Sequence, residues 1–584
     1  MRAIRAYLPA LFCASTVVLG YVIARPYAEI GIDDDWSYVK TAQVLAQTGK
    51  ISYNGWGSPM LGWQLYFADL FVKSFGFSFT AVRLSILFVA IATAILLQRT
   101  FVRTGINEWN ATVATMAFVL SPLFFPVAVL YMTDVPGIFC ILLCLYMCLR
   151  TIQAESERAA MFWIFLAALT NAIGGTARQT AWLGVLVMVP STLWLLRRNR
   201  RVLVTGCLSW FAAVGFVIAT SLWFVRQPFS NSLPLLPSII SWRSLRSLCF
   251  SGLLGIAFLS MLLVPVLLMF GRPLLRAWNR RTAAVFVAGF AGIVLLIIVL
   301  FMTSKSGLFV APFVLGYMVE LVLENLNGSV DYFVAPQQIA TGWLRLWLTG
   351  ATAIGALTFL SYALGTAERR DVPSLKDAHI SWQKLAVVLG PFTFVYIAWL
   401  GDMIIEGNFF DRYFLPLFLI SLLVLTLHYQ QNAGNLPLTC VLLIAIFGGF
   451  SVAGTHDEFA MYRGSVDAID VLHSRGVPDS SIWGPVEFNG WNQIDKTGYV
   501  NAPWILIPKG AYAPAPARDF SPDCDLGFHN FLSFVPDIKP VYAVSLNPKA
   551  CDGLAGIQPV QYTSWLPPRT RSIYVIKLPA WLSR

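Results

Sequence analysis

Charge is scarce in this sequence. Asp, Glu, Lys and Arg make up 12% of the 584 residues, against about 25% in a soluble protein. A water-soluble globular fold is therefore excluded for most of the chain. Histidine is scarcer still, with five in all, and His456 and His473 show no metal-ligand spacing. There is no Walker loop, no dinucleotide fingerprint and no nucleophile elbow. No internal repeat and no low-complexity tract is found.

What is present is apolar. Hydrophobic residues make up 57% of the chain, in runs of about 20 residues that recur from Leu8 to Val452. This predicts an α-helical polytopic membrane protein. The formal charge of +11 does not signal nucleic acid, because the basic residues lie in short clusters between apolar runs, the positive-inside pattern. Arg2 and Arg5 place the N-terminus in the cytoplasm, and Arg197-Arg198-Asn199-Arg200-Arg201 is the strongest inner mark. Following these clusters gives about 13 crossings, with the C-terminus outside. The first run, Leu8 to Ile23, lacks a convincing small-x-small cleavage site and reads as an uncleaved first helix.

The expected membrane domain is 1–453, with a first outer loop at 26–79. Within that loop a surface helix follows the aspartates, and Met60 to Phe75 reads as interfacial. Helix 2 is expected over Ala81 to Leu97, helix 3 over Ala111 to Leu130 and helix 4 over Asp134 to Arg150. Helices 5 and 6 form a hairpin with Arg178 and Gln179 at its outer turn. A long outer loop, Thr303 to Thr341, is expected to hold a further interfacial helix. After Gly454 the composition turns charged and Pro-rich, which predicts a small extracytoplasmic α/β domain at 454–584. Its elements are an amphipathic helix, Glu458 to Arg475, and strands at Ser481 to Glu487, Val541 to Leu546 and Ser572 to Leu578.

Against this apolar background, Asp33-Asp34-Asp35 stands out. Carboxylates beside a bilayer are costly and so mark candidate sites. One aspartate before a helix is an ordinary N-cap, and Asp35 before Trp36 fits that reading. Three in a row exceed a capping need, and like charges so close raise one pKa, which suits a general base. Asp134 meets the membrane on the same side, although Thr133 or Asp134 also suits the cap of helix 4. Outward-facing cations form a second group: Arg178, Arg243, Arg246, Lys305, Arg345 and Arg412. Singly they suit snorkelling to headgroups, and as a set they suit an anionic phosphate. Arg412 also has Asp411 beside it as a simple ion-pair partner. Trp36, Trp56, Trp63, Trp483 and Trp491 suit either sugar stacking or an interfacial belt and core. Cys140, Cys144 and Cys148 read as packing residues on one helix face, whereas Cys524 and Cys551 are free to pair if the tail is extracytoplasmic.

Three stretches carry a family resemblance. Asp34-Asp35-Trp36-Ser37-Tyr38 resembles the Asp-Glu-x-x-Tyr pattern of a first outer loop. Thr133-Asp134-Val135-Pro136 resembles an acid opening the fourth helix, and Arg412-Tyr413 with Pro416 resembles a late Arg-Tyr-x-x-Pro. Together they resemble the GT-C glycosyltransferases that use polyprenyl-phosphate sugars, within them the protein O-mannosyltransferase and lipid A aminoarabinose transferase superfamily. Two departures are Asp35 in place of Glu, and Gly57-Ser58-Pro59-Met60 where aminoarabinose transferases tend to show Glu-Lys-Pro-Pro. The latter argues against lipid A as acceptor.

The resemblance implies inverting transfer of a sugar from a polyprenyl-phosphate donor to an extracytoplasmic glycan, lipid or protein hydroxyl. It implies Asp34 as base, with Asp35 tuning its charge or orienting the site. Arg412, Arg178, Lys305 and Tyr413 belong at the donor phosphate. Asp134 either orients the acceptor or holds a divalent metal with Asp34, and both readings stay open. The expected location is the bacterial inner membrane, with a periplasmic tail and no nucleic-acid partner. The rival reading is a polytopic transporter or lipid-linked sugar flippase, which would carry ionisable residues near the midplane.

Overall fold

The computed structural model describes residues 2–231, 241–303, 342–366, 380–406, 409–514, 529–549, 551, 553–566 and 568–579. Lys305, Cys524 and the segment after Thr303 as far as Thr341 lie outside the described residues, as do the side chains of Arg243 and Arg345. The chain begins with α1 (Arg2–Ala24), α2 (Asp35–Thr48), α3 (Gly62–Phe75), α4 (Phe79–Arg103), α5 (Glu108–Val119), α6 (Asp134–Ile152) and α7 (Glu157–Gly174). It continues through α8 (Val189–Leu195), α9 (Arg200–Val225), α10 (Trp242–Leu262), α11 (Val264–Leu267), α12 (Gly271–Arg276) and α13 (Arg280–Thr303). Then follow α14 (Gly342–Gly365), α15 (Trp382–Glu406), α16 (Leu415–Ala433), α17 (Leu438–Ser474) and α18 (Val486–Thr497).

Nine helices among the described residues are long and apolar enough to cross a membrane. That is fewer than the about 13 read from charge placement. One cause is the expected helix 3, where α5 stops at Val119. Ser121-Pro122 and Pro126 follow, and proline donates no backbone bond and disfavours a helical residue before it. The Ser121 hydroxyl instead accepts from the Phe124 amide at 3.1 Å. The expected helix 6 is broken as well. A 3-10 turn, Gln179–Trp182, leads into a π-helical turn, Gly184–Met188, before α8. The Asn171 carboxamide of α7 accepts the Val185 amide at 2.6 Å, a side chain inserted in the helical ladder.

Local capping sets where the helices begin. Ser78 caps α4 through the Ala81 amide, and the Glu29 carboxylate accepts from the Phe79 and Thr80 amides. The cysteine stripe packs α6 on α7: a Cβ at Gly174 would lie 2.5 Å from the Cys140 sulfur. Cys140, Cys144 and Cys148 are free thiols, whereas Cys551 is disulfide-bonded.

The last spanning helix does not stop at the expected boundary. α17 runs unbroken through residues 453 and 454 for 37 residues. That is about 55 Å at 1.5 Å per residue, nearly twice the ~30 Å hydrocarbon core. Its second half is buried along one side, from Thr455 to Leu472. Against it lies a four-stranded sheet in the order β1-β2-β4-β3, built from β1 (Ile482–Trp483), β2 (Tyr542–Ser545), β3 (Val560–Trp565) and β4 (Pro568–Lys577). β1 and β2 are parallel, and the other pairs are antiparallel. Three expected strands are present, though the first is two residues long and its expected end, Val486 and Glu487, opens α18. β3 was not foreseen.

Candidate active site at the helix ends

Three chain segments converge on one guanidinium. Arg412 sits in the 3-10 turn Asp411–Phe414 that leads into α16. Its Nη1 is 3.2 Å from Asp33 Oδ2, its Nη2 is 3.3 Å from Asp34 Oδ2, and its Nε is 3.6 Å from Asp134 Oδ2. Phe410 lies beneath it, 4.4 Å from ring centre to guanidinium carbon. Asp134, the first residue of α6, also pairs with Arg178 at 3.0 Å. Arg178 in turn donates to Thr133 Oγ1 at 2.9 Å and lies over the Tyr413 ring at 5.0 Å. Gly137, one turn into α6, makes room for it: a Cβ there would come within 2.8 Å of Arg178 Cδ.

The four aspartates are chemically distinct. Asp35 is fully buried and paired with Arg83, whose side chain is 1% exposed, at 2.7 Å. Arg83 also donates to the Ala28 and Ile30 carbonyls, and Asp35 accepts the Ile32 amide. Asp35 is thus the keystone of the loop that bears its neighbours. It is not the simple cap expected from its position, since Asp34 takes the N-cap place and caps nothing with its side chain. Asp34 is the most open, with its side chain 28% exposed against 10% for Asp33 and 2% for Asp134. The Trp56 indole donates to its Oδ1 at 2.6 Å and fixes its direction. Asp33 has a left-handed backbone, φ 54°. Its carboxyl is pushed up to about 8, first by burial and then by Asp34 and Asp35, with Arg412 opposing.

The C-terminal unit completes the site. The Glu487 carboxylate, near the start of α18, accepts from the Asp33 amide at 3.0 Å and from the Tyr462 hydroxyl at 2.8 Å. Burial pushes Glu487 up to about 8, with Asp33 adding to the rise and its hydrogen bonds opposing it. Trp36 and Trp483 are core residues, each 1% exposed. Trp63 donates to the Gly174 carbonyl, and Trp491 lies under Lys40.

No family model matches the chain, and no curated protein matches it. Solved membrane-enzyme structures do resemble it. ArnT from Cupriavidus metallidurans bound to undecaprenyl phosphate is 13% identical, over 98% of each chain, at a TM-score of 0.40. The archaeal oligosaccharyltransferase AglB from Archaeoglobus fulgidus, in complex with an inhibitory peptide and a dolichol-phosphate, is 12% identical at 0.37, over 91% of this chain and 64% of that one. The S. cerevisiae protein O-mannosyltransferase Pmt1-Pmt2 complex bound to the sugar donor is 15% identical at 0.31. That match takes in 37% of this chain and spans about a third of the O-mannosyltransferase chain, 33%. At such TM-scores the chemistry has to come from the residues themselves.

Of the residues read from sequence, Asp34, Asp134, Arg178, Arg412 and Tyr413 share one site, and Asp35 underpins it. A metal shared by Asp34 and Asp134 does not fit this donor set. The Arg412 guanidinium already lies between them, and among the described residues no group of three or more His, Cys, Asp or Glu is set to ligate an ion. Sequence reasoning missed three partners. Arg83 carried a readable signal, a lone cation near the outer end of an apolar run. Trp56 was read as a sugar-stacking or belt-and-core residue, not as a hydrogen-bond donor to Asp34. Glu487 gave no signal, because it lies 454 residues from Asp33.

Proposed function

We propose that the chain is an integral-membrane glycosyltransferase. It moves a sugar from a polyprenyl-phosphate donor to an extracytoplasmic acceptor hydroxyl, with inversion at the anomeric carbon. One observation carries this reading: an open carboxylate, Asp34, is held beside a guanidinium that two further carboxylates orient, at the ends of membrane-length helices. Inverting transfer needs a base on one side of the anomeric carbon and charge compensation on the other.

Asp34 takes the proton from the acceptor hydroxyl as that oxygen attacks the anomeric carbon. The bond from that carbon to the phosphate oxygen breaks, and the phosphate leaves with the electron pair. The leaving phosphate needs no proton but does need compensation, which Arg412 and Arg178 supply. With Asp33, Asp34 and Asp134 against these two arginines, the cluster carries a surplus negative charge when all are ionised. An entering phosphate must therefore displace a carboxylate from Arg412, and Asp134 is positioned to yield, because its 3.6 Å contact is the longest of the three and it keeps Arg178. Tyr413 supports Arg178 from below. The lipid tail lies in the outer leaflet, and the site faces the periplasm of an inner-membrane protein. Glycan, lipid and protein hydroxyls all satisfy the acceptor chemistry.

Asp34→Asn tests the assignment. The purified variant should insert and fold normally yet lose transfer by about a hundredfold or more. Full turnover in that variant sinks the reading. A flippase would instead move undecaprenyl-phosphate sugars across vesicles without transferring the sugar.

A further inference from the structure

The first outer loop is not held by the membrane helices alone. Around Asp33 the C-terminal unit closes on it from the other side, and the closure is tight at both ends. A Cβ at Gly31 would lie 2.2 Å from Trp36 Cβ and 3.0 Å from Glu487 Cβ. A Cβ at Gly490 would lie 2.5 Å from the Trp36 ring. Further along, Lys40 of α2 pairs with Asp495 of α18 and lies over Trp491, 4.1 Å from its ring centre. α18 is thus clamped along α2, the helix that the three aspartates open, from Glu487 to Asp495.

Within this clamp one bond has a specific consequence. Asp33 adopts a left-handed backbone, which an L-residue other than glycine rarely takes. The amide of that strained residue donates to Glu487. The Tyr462 hydroxyl of α17 fixes the same Glu487 oxygen. The Asp33 side chain then reaches Arg412. A hydrogen-bonded chain therefore runs from α17 through Glu487 and Asp33 to the guanidinium.

We propose that Glu487 is a positioning residue of the transfer site, which holds Asp33 in its left-handed conformation so that Asp33 orients Arg412 for the donor phosphate. The inference rests on the transferase reading above. Glu487 acts only through Asp33, so it is a hydrogen-bond acceptor rather than an acid or base. Without it the Asp33 amide loses its partner and the backbone relaxes to a commoner region. Arg412 then keeps Asp34 and Asp134 but loses its third anchor. Asp34 and its Trp56 partner are left in place, so the loss falls on phosphate binding.

The test uses the full chain in nanodiscs and undecaprenyl phosphate as the probe. Glu487→Ala should raise the Kd for undecaprenyl phosphate about tenfold. Glu487→Gln, which keeps an acceptor oxygen for both donors, should restore it to within about twofold. Asp33→Ala should match Glu487→Ala, and the double variant should be no worse than either, as expected for two residues in one chain of contacts. An unchanged Kd in Glu487→Ala overturns the proposal. So does a Glu487→Gln variant that binds the probe normally but has lost transfer, since Glu487 would then act as an acid or base. Should Glu487→Ala fail to fold, Tyr462→Phe removes one donor without leaving a cavity. It should weaken binding about threefold, and wild-type binding there overturns the proposal equally. A wild-type chain that fails to bind the probe sinks the transferase reading itself. A wild type that binds it as well as Glu487→Ala does sinks only this inference.

Discussion

Asp34 and Asp35 are adjacent in the chain and opposite in chemistry. Asp35 shares a dry site with Arg83, both essentially unexposed. Breaking such a pair from one side leaves a buried charge uncompensated, at a cost of about 3–5 kcal/mol. Arg83→Met should therefore yield little folded protein, read as loss of a monodisperse peak after extraction. Asp34→Asn should extract normally and fail only in transfer, so the two variants separate scaffold from chemistry. Arg412→Lys is the sharper test of the cation. A lysine ammonium is a point charge, without the planar fork that meets Asp33, Asp34 and Asp134 at once. Transfer should fall by about a hundredfold, comparable to losing a preorganised donor, and near-normal turnover would remove Arg412 from the proposed phosphate site. At this scale the sequence was informative where charge is improbable. Three consecutive aspartates beside an apolar run, and an arginine at the end of another, are visible without a structure. The division of labour among them was not, because it depends on Arg83, Trp56 and Glu487, which the chain brings in from elsewhere.

Among the elements, the broken hairpin between α7 and α8 matters most, because Arg178 opens it. The π-helical turn at Gly184–Met188 exists because Asn171 takes the Val185 amide, and it fits because a Cβ at Gly184 would lie 2.7 Å from the Asn171 side chain. Asn171→Leu should leave that amide without its partner, at about 1–3 kcal/mol. Donor binding should weaken with it as Arg178 shifts, measured as a lower unfolding temperature together with a raised Kd for undecaprenyl phosphate. Normal binding would mean that the hairpin does not position Arg178. Apolar runs made most helices legible, and the basic clusters ordered them. The end of α5 was hidden because the stretch from Leu120 to Leu130 is as apolar as a helix, and only its prolines mark the break. α17 was read as two helices, because its composition changes at the water boundary while its backbone does not.

At the scale of the molecule, the membrane helices and the C-terminal unit meet through carboxyls that favour a proton. Asp33 and Glu487 are both held near 8 in the folded chain, against ordinary values of 3.8 and 4.5. The groups facing them are Arg412, Asp34, Asp35, Tyr462 and Glu458, and Arg412 is the only cation among these. The folded form therefore binds protons more tightly than the unfolded chain at these two positions. Their contribution to stability is fully present below about pH 4 and is lost as pH rises through about 8. The clamp of α18 on α2 should thus be firmest in mild acid and loosest in mild alkali. Thermal unfolding in detergent should show the melting temperature dropping by at least a few degrees between pH 5 and pH 9. The double variant Asp33→Asn with Glu487→Gln carries neutral, hydrogen-bonding mimics of the protonated acids, so its profile should flatten across the same window. A wild-type profile that is flat, or that rises with pH, would mean these two carboxyls are ionised in the folded chain. The junction between the two halves would then rest on contacts that do not titrate in this range, among them the packing of Trp36 against Gly490, the Trp504 indole on the Gly55 carbonyl and the Lys40–Asp495 pair.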